Sequence, residues 1–245
     1  MERFEDFLEL AKTRIARLGY MVWDIYTCPD IMIIDNFDES YRCTYDLHTT
    51  IFGPPNNKII KNFNPKGEFS LSFDLKWEKF IRSNFTDFIP MDKSVKNKDM
   101  NTFLCMELKK ENFTPKEEYI SRELHKKEEK LLGIKRRILF SQGLGGVGIV
   151  EKNELIGCAF APHFVLNNKF SFAIIRAVWV NKSHRNKGLG LDLSSHICNK
   201  IFNTGINLVS LWVEETNLPA VKIYEKLGFK TIEKVFGTDC KKIET

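Results

Sequence analysis

The sequence predicts an α/β protein, a mixed central sheet flanked by helices, preceded by a smaller α+β region. Between residues 169 and 227, strand-like and helix-like segments alternate, which favours a sheet with helices packed on it. The first 75 residues instead hold several short segments rich in β-branched and aromatic residues. The segment PMDKSVKNKD (90–99) is charged and aperiodic, so we predict a linker there. We therefore expect two domains, at 1–98 and 99–245.

The N-terminal region begins with one predicted helix that ends at Gly19. Its apolar residues recur at helical spacing: Phe4, Phe7, Leu8, Ala11, Ile15 and Leu18. The alternation in FSLSFDL indicates a strand with one buried face. We predict strands at 20–27, 31–35, 41–47 and 69–75, a turn at 53–57 and a short helix at 76–84.

The C-terminal region is predicted to alternate more regularly. Pro115 suits the first turn of a charged helix, which we place at 115–132. RRILFS (136–141) is predicted as a strand, and GVGIVEKNELIGCAFAP as a hairpin with EKNE at its tip. Gly228 is suited to a left-handed helix end. We predict further strands at 102–109, 169–180 and 207–213 and helices at 188–202 and 217–227.

Composition limits the classes of protein that fit. The 245 residues carry a net charge of +5, with Lys and Arg spread along the chain, so we expect no nucleic-acid partner. The six cysteines form no C-x-x-C pair, which indicates reduced thiols and no metal site. The N-terminus lacks the apolar core of a signal peptide, and no segment is long and apolar enough to span a bilayer. We expect a cytoplasmic protein without membrane association.

Two glycine-rich segments are candidates for binding phosphate. SQGLGGVG (141–148) has the G-x-G-x-x-G spacing of a dinucleotide fingerprint, but a hairpin pattern follows it where the fingerprint needs a helix. The expected acid about 20 residues later is also missing, because no Asp or Glu occurs between Glu154 and Asp192. We therefore interpret this segment as a flexible connection into a strand.

HRNKGLG (184–190) is the better candidate. It follows the predicted strand 169–180 and opens an amphipathic helix. The free main-chain amides and the dipole of a helix N-terminus favour a bound pyrophosphate there. A solvated basic turn would explain the same residues if nothing else supported binding.

The support is a set of features in a fixed order. Val178 and Val180 form V-x-V before the RNKGLG turn, and Asn217 and Tyr224 precede Gly-Phe at 228–229. This combination resembles the GNAT superfamily of acetyl-CoA-dependent N-acetyltransferases, over roughly residues 100–235. The resemblance implies a GNAT-like mixed sheet and transfer of an acetyl group from acetyl-CoA to a primary amine in a ternary complex.

The resemblance also implies roles for individual residues. The strand before the turn would hold the pantetheine arm, the turn would cradle the pyrophosphate through its amides, and Asn217 would contact the cofactor arm. Tyr224 would be the general acid for the leaving thiolate. The implied acetyl-CoA site comprises Val178, Trp179, Val180, Arg185, Asn186, Lys187, Gly188, Leu189, Gly190, Asn217 and Tyr224. Each has a plainer explanation, such as a helix N-cap for Asn217 and core packing for Tyr224.

The general base departs from the family pattern. Some members carry a glutamate within the central strand, where this chain has Ile174. Apart from Lys169 at its start, the only charge in that strand is Arg176. Glu214 is our first substitute, with Glu215 and His163 as alternatives. The enzyme could also bind an amine that is already neutral.

Several matters stay open at this level. The acceptor could be a small molecule or a peptide amine, and the protein a monomer or a homodimer. A non-catalytic acyl-CoA-binding sensor or scaffold is the alternative function, because a pure binder would not need Tyr224. We expect the domain at 1–98 to help select the acceptor.

Overall fold

The computed structural model describes residues 4–65, 67–91 and 99–243. The helices are α1 (Glu5–Ala11), α2 (Ile15–Thr27), α3 (Asn57–Lys61), α4 (Glu78–Asn84), α5 (Ile134–Phe140), α6 (Leu189–Asn203) and α7 (Leu218–Leu227). The strands are β1 (Met32–Phe37), β2 (Ser40–Tyr45), β3 (His48–Phe52), β4 (Glu68–Asp74), β5 (Phe85–Pro90), β6 (Asn101–Lys109), β7 (Arg122–Glu123), β8 (Gly146–Glu151), β9 (Glu154–Leu166), β10 (Ser171–Val180), β11 (Leu208–Glu214) and β12 (Lys230–Lys242).

These strands form one mixed sheet in the order β1-β2-β3-β4-β12-β6-β11-β10-β9-β8-β7, and β5 also pairs with β12. The pairs β10–β11 and β3–β4 are parallel, and the other pairs are antiparallel. The predicted mixed sheet flanked by helices is confirmed.

Strand β12, which we did not predict, joins the two parts of the sheet. It pairs with β6 through Lys230–Gly237 and with β4 through Val235–Lys241. The strand pairing is therefore continuous from β4, before residue 98, through β12 to β6, after residue 99. The division into two domains stays a prediction, and most of the predicted linker, residues 92–98, lies outside the described residues.

The two faces of the sheet are covered by different helices. Helices α6 and α7 bury Leu193, Ile197 and Leu227 against one face. Helices α1 and α2 cover the opposite face, where Phe172 and Ile174 of β10 belong to their core. A third core lies between β4 and the helices α3 and α4.

The predicted strand at 20–27 is wrong, because these residues belong to α2. The first helix breaks after Ala11, and the second continues through Gly19, the predicted stop. Glycine suits position 19 of α2 because any larger residue would be crowded there, with its Cβ 3.2 Å from the Phe172 ring. The buried residues Ile15, Leu18, Val22 and Ile25 keep the helical period, which overrides the β propensity of YMVWDIYT.

Two further assignments between 115 and 141 are wrong. RRILFS lies mostly in α5, and the predicted helix at 115–132 is the two-residue strand β7, a 3₁₀ turn at Lys126–Leu131 and irregular chain. Asp192 of α6 explains the irregular chain, since its carboxylate accepts hydrogen bonds from the amides of Ile120 and Ser121 at 2.8 Å. These bonds use main-chain groups that a helix would need for itself.

The segment SQGLGGVG is a turn that packs against β9. A Cβ on Gly143 (φ +58°) would lie 2.3 Å from the Pro162 carbonyl oxygen, so only glycine fits. The Leu144 amide donates to the Ala161 carbonyl oxygen at 2.9 Å, and β8 begins at Gly146. The glycines thus have a packing reason, and a strand, not a helix, follows them as predicted.

Candidate active site

A cleft opens where β10 and β11 separate. The two strands pair only from Phe172 to Ile174 on β10 and from Leu208 to Ser210 on β11. Beyond Ile174, β10 changes register twice against β9, and Ala177 has a φ of +53°. The bulge turns the end of β10 away from β11, so the main-chain groups of Val178–Val180 have no ladder partner on that strand. The cleft has a volume of about 1660 Å³.

One end of the cleft, the α6 end, is formed by residues 185–190 and the start of α6. Gly188 is the N-cap of α6 in the left-handed conformation (φ +77°), and a Cβ there would have no atom within 4 Å. The first amides of a helix have no intrahelical partners, and no side chain among the described residues caps this one. Arg185 is fixed beside the turn because its Nε donates to the Val180 carbonyl oxygen at 3.2 Å. The open space, free amides and positive dipole suit a diphosphate group.

Helix α7 places Tyr224 in the same cleft. Its side chain is 7% exposed, and burial raises its pKa above the usual range, so the phenol stays protonated near neutral pH. Within the described part of the chain, no hydrogen bond uses the Tyr224 hydroxyl. A protonated hydroxyl without a protein partner is available to donate to a ligand.

Asn217 is the N-cap of α7, as predicted, but its side chain makes no capping hydrogen bond. Its main-chain carbonyl accepts from the amides of Ala220 and Val221. Asn217 therefore has the N-cap position without the side-chain hydrogen bond of a cap, and it lines the cleft.

The opposite end of the cleft, the α2 end, is lined by Tyr20, Trp23 and Asp24 of α2 with His163 of β9 and Arg176 of β10. The His163 ring lies 4.3 Å from the Trp23 ring and 5.4 Å from the Tyr20 ring. The Arg176 guanidinium lies over the Tyr20 ring at 5.4 Å. Other residues before 98 extend this end: Tyr45, His48, Thr49, Thr50, Ser70, Ser72 and Met91.

Burial changes the ionisation of two groups at the α2 end. It raises the pKa of Asp24 to about 7, so this carboxyl titrates near neutrality. It lowers the pKa of His163 to about 4, with a further contribution from the Arg176 charge, so the imidazole is neutral at pH 7. The α2 end therefore combines the neutral His163 imidazole, the permanent Arg176 cation and the Asp24 carboxyl of variable charge.

Glu214 lines the cleft at the end of β11. Its Oε2 accepts from the Thr216 amide at 2.6 Å and from the Thr216 hydroxyl, whereas Oε1 is buried with no partner among the described residues. Glu215 does not line the cleft and forms an ion pair with Lys234 at 2.5 Å. The two adjacent glutamates thus have different surroundings.

The predicted site residues are mostly brought together, although their roles stay predictions. Lys187 is exposed and does not line the cleft. The lining includes Val178, Trp179, Val180, Arg185, Asn186, Gly188, Leu189, Gly190, Glu214, Asn217 and Tyr224. Sequence reasoning missed Ser194, a cleft-lining residue whose buried Oγ has no partner in the described ranges. A serine inside an amphipathic helix gives no signal that could have identified it.

The gap between two parallel strands, the open glycine turn and the buried Tyr224 all lie in one cleft. The profile of the Acetyltransferase (GNAT) family matches residues 105–229, just over half of the chain. The chain therefore belongs to the GNAT acetyltransferase family. No curated protein matches it.

Solved structures show the same fold at low identity. A GCN5-related N-acetyltransferase-like protein from Streptococcus suis is 16% identical, covers 96% of this chain and 100% of its own, and has a TM-score of 0.55. A GCN5-related N-acetyltransferase from Kribbella flavida is 12% identical over 95% of both chains, with a TM-score of 0.55. A Drosophila protein is 12% identical over 97% of this chain and 95% of its own, with a TM-score of 0.62. The shared fold thus includes most of the first hundred residues.

The described residues were also compared with the requirements of a membrane-spanning helix and of a metal site. No helix among them is long and apolar enough to cross a bilayer. No group of three His, Cys, Asp or Glu residues in the described ranges could hold a metal ion.

Proposed function

We propose that this protein transfers an acetyl group from acetyl-CoA to a primary amine by direct attack in a ternary complex. The observation that carries the proposal is one continuous cleft that contains the open α6 N-terminus, the separated end of β10 and the Tyr224 side chain. The turn at 185–190 would hold the pyrophosphate, and Val178–Val180 would hold the pantetheine arm as a neighbouring strand would.

The reaction needs a neutral amine that attacks the thioester carbonyl carbon. The carbonyl oxygen then becomes an oxyanion, which a main-chain amide of β10 near the bulge would stabilise. Holding both reactants in one cleft supplies much of the rate, because it replaces a bimolecular encounter with an oriented one. When the C–S bond breaks, Tyr224 would donate its proton to the thiolate.

Two features support Tyr224 in this role. Burial raises its pKa, so the phenol carries its proton at neutral pH, and its hydroxyl has no competing partner among the described residues. The thiols of Cys158 and Cys198 are poor nucleophiles for a covalent intermediate. Burial raises the pKa of Cys158 to about 12 and that of Cys198 further still, so both stay protonated.

We further propose that residues 1–98 help select the acceptor, a small-molecule or peptide amine. Tyr20, Trp23 and Tyr45 from this region line the α2 end. Strand β4 pairs with β12, so removing the region would disrupt the sheet. A point variant is therefore the better test: Trp23→Ala should lower kcat/KM for the acceptor and leave the Kd of coenzyme A unchanged.

Six free cysteines support a reducing compartment such as the cytoplasm.

The test of the main proposal is thiol release from acetyl-CoA with a panel of primary amines: phenylethylamine, spermidine, lysine and a short peptide with a free N-terminus. Acceptor-stimulated thiol release, together with the acetylated amine by mass spectrometry, supports the transferase. Tight coenzyme A binding without stimulated release across the panel would favour a non-catalytic acyl-CoA-binding module.

A further inference from the structure

Three residues that line the cleft each have a buried side-chain atom without a hydrogen-bond partner in the described part of the chain: His163 Nδ1, Ser194 Oγ and Glu214 Oε1. A buried polar atom left unpaired costs about 1–3 kcal/mol. Structures retain such atoms where a ligand or water completes the bond. The three atoms are therefore candidates to contact bound substrates, and His163 is the one at the α2 end.

His163 lies beside the point where the strands separate. It is the cross-strand partner of Ile174, which is the last residue of β10 to pair with β11. Directly opposite residues of antiparallel strands have side chains on the same face, with Cβ atoms about 5 Å apart. Ile174 has no ionisable side chain, and His163 lies at the adjacent cross-strand position on the same face of the sheet.

The imidazole is held in place by its surroundings. Its residue is 8% exposed, and the Trp23 and Tyr20 rings pack against it. The charged and titratable groups around it are Arg176 on β10, Tyr20 and Asp24 on α2, and Tyr45 and His48 of the β2–β3 hairpin, which line the same end. Burial and the Arg176 charge keep the ring neutral, so one ring nitrogen can accept a proton.

We propose that His163 accepts the proton that the acceptor amine releases as its nitrogen bonds to the acetyl carbon. This inference rests on the function proposed above and names the proton acceptor of that reaction. The amine nitrogen forms the C–N bond, gives one proton to the His163 ring and keeps one as the amide N–H. The C–S electron pair leaves on sulfur, which takes the Tyr224 proton. The imidazolium then returns its proton to solvent, and the Tyr224 phenolate takes one back from solvent, so the enzyme is restored.

The acidity of the attacking amine lowers the demand on the base. An amine nitrogen that has just bonded to the acetyl carbon carries a positive charge and is far more acidic than a free ammonium group, so a neutral imidazole of low pKa can take its proton. The Arg176 charge disfavours the imidazolium, which hastens return of the proton to water.

Glu214 is the competing candidate, and its position differs. It lies four residues beyond Ser210, the last residue of β11 that pairs with β10. At about 3.3 Å per residue this is roughly 13 Å along the strand. Its Oε2 is already engaged by Thr216, which leaves only Oε1 without a partner among the described residues, at the outer edge of the gap. His163 instead lies level with the innermost point of the gap.

The test measures kcat, KM and the Kd of coenzyme A for His163→Gln, with the amine of the panel that gives the highest kcat/KM. Glutamine keeps much of the bulk and the hydrogen bonding of histidine but cannot take the proton. We expect kcat to fall about 10²–10⁴-fold, the range typical of general-base removal, with little change in coenzyme A binding. His125→Gln is the matched control, since His125 is exposed and does not line the cleft.

A second variant separates chemistry from packing. In His163→Ala, added imidazole should restore part of the lost turnover, and the restored rate should rise with the free-base fraction of imidazole as the pH increases. Loss of packing alone would give no such rescue. Urea unfolding of each variant checks that it folds.

The outcomes distinguish this inference from the proposed function. Wild-type protein that acetylates an amine, combined with full turnover in His163→Gln, overturns the inference and leaves the transferase standing. Loss of turnover in Glu214→Gln with a wild-type rate in His163→Gln would assign the base to Glu214 instead. Wild-type protein without acceptor-stimulated thiol release removes both.

Discussion

The substitution Gly188→Glu tests the feature on which the proposed function depends, the open turn before α6. Gly188 is exposed, and a Cβ there meets no atom within 4 Å, so the new side chain reaches into the turn without a clash. The turn is where we place the diphosphate of coenzyme A. One carboxylate about 5 Å from one phosphate charge, at an effective dielectric constant of about 20, repels it by roughly 3 kcal/mol. This energy corresponds to a rise of about 100-fold in Kd.

Gly145→Glu is the matched control. Gly145 also has a positive φ (+70°) and no atom within 4 Å of an added Cβ, but it lies outside the cleft. Both variants carry the same charge and a similar main-chain strain of about 1 kcal/mol. Titration calorimetry with coenzyme A at low and physiological salt provides the assay, and the Gly188→Glu penalty should shrink as salt rises. Equal Kd values for the two variants would refute the phosphate site at 185–190. Weaker binding in Gly145→Glu alone would refute it as well and would move the site to the rejected SQGLGGVG segment.

Three further predictions address catalysis and stability. Tyr224→Phe should lower kcat by about 10²-fold or more with coenzyme A binding unchanged, whereas Tyr26→Phe, outside the cleft, should leave steady-state thiol release as in wild type. Gly228→Ala places a Cβ 2.1 Å from a main-chain carbonyl oxygen, whereas Gly205→Ala, at a similar φ, meets nothing within 4 Å. The clash costs about 2 kcal/mol, so Gly228→Ala should unfold about 4–8 °C below Gly205→Ala in a thermal melt. The raised pKa of Asp24 means that its ionisation opposes folding, so the stability it contributes is present below pH 4 and is lost as the pH rises through about 7. Asp24→Asn should remove that decline in urea unfolding measured between pH 5 and pH 8, and an unchanged slope would contradict the assignment.

Local sequence signals predicted the α6 end well. The glycine turn, the apolar period of α6 and the left-handed end of α7 at Gly228 each depend on residues close in the chain. Gly228 has a φ of +100°, which is the conformation its position after Leu227 requires. Such features are encoded in a few consecutive residues, so sequence patterns are sufficient to identify them.

The α2 end was harder to predict because it depends on distant contacts. YMVWDIYT has β propensity, yet Trp23 and Tyr20 lie on a helix whose period begins at Ile15. That helix is stabilised by packing on β10, and no residue within 20–27 reports this contact. The interrupted chain at 115–132 has the same kind of origin, since Asp192 binds its amides from more than seventy residues away.

The gap between β10 and β11 connects the two faces of the sheet, and this explains how one site can use residues from both halves of the sequence. Leu193 and Tyr224 lie on the face covered by α6 and α7, whereas Ile174 belongs to the core under α2. A thioester held along the end of β10 would reach the gap from the first face, and an amine bound between Tyr20, Trp23 and His163 would reach it from the second. Strand β12 pairs with β4 and with β6, and β6 pairs with β11, which borders the gap. A shift of the region before residue 98 would therefore be transmitted to β11. Changes in that region should therefore alter acceptor choice while the phosphate turn, which is local to residues 185–190, keeps its affinity.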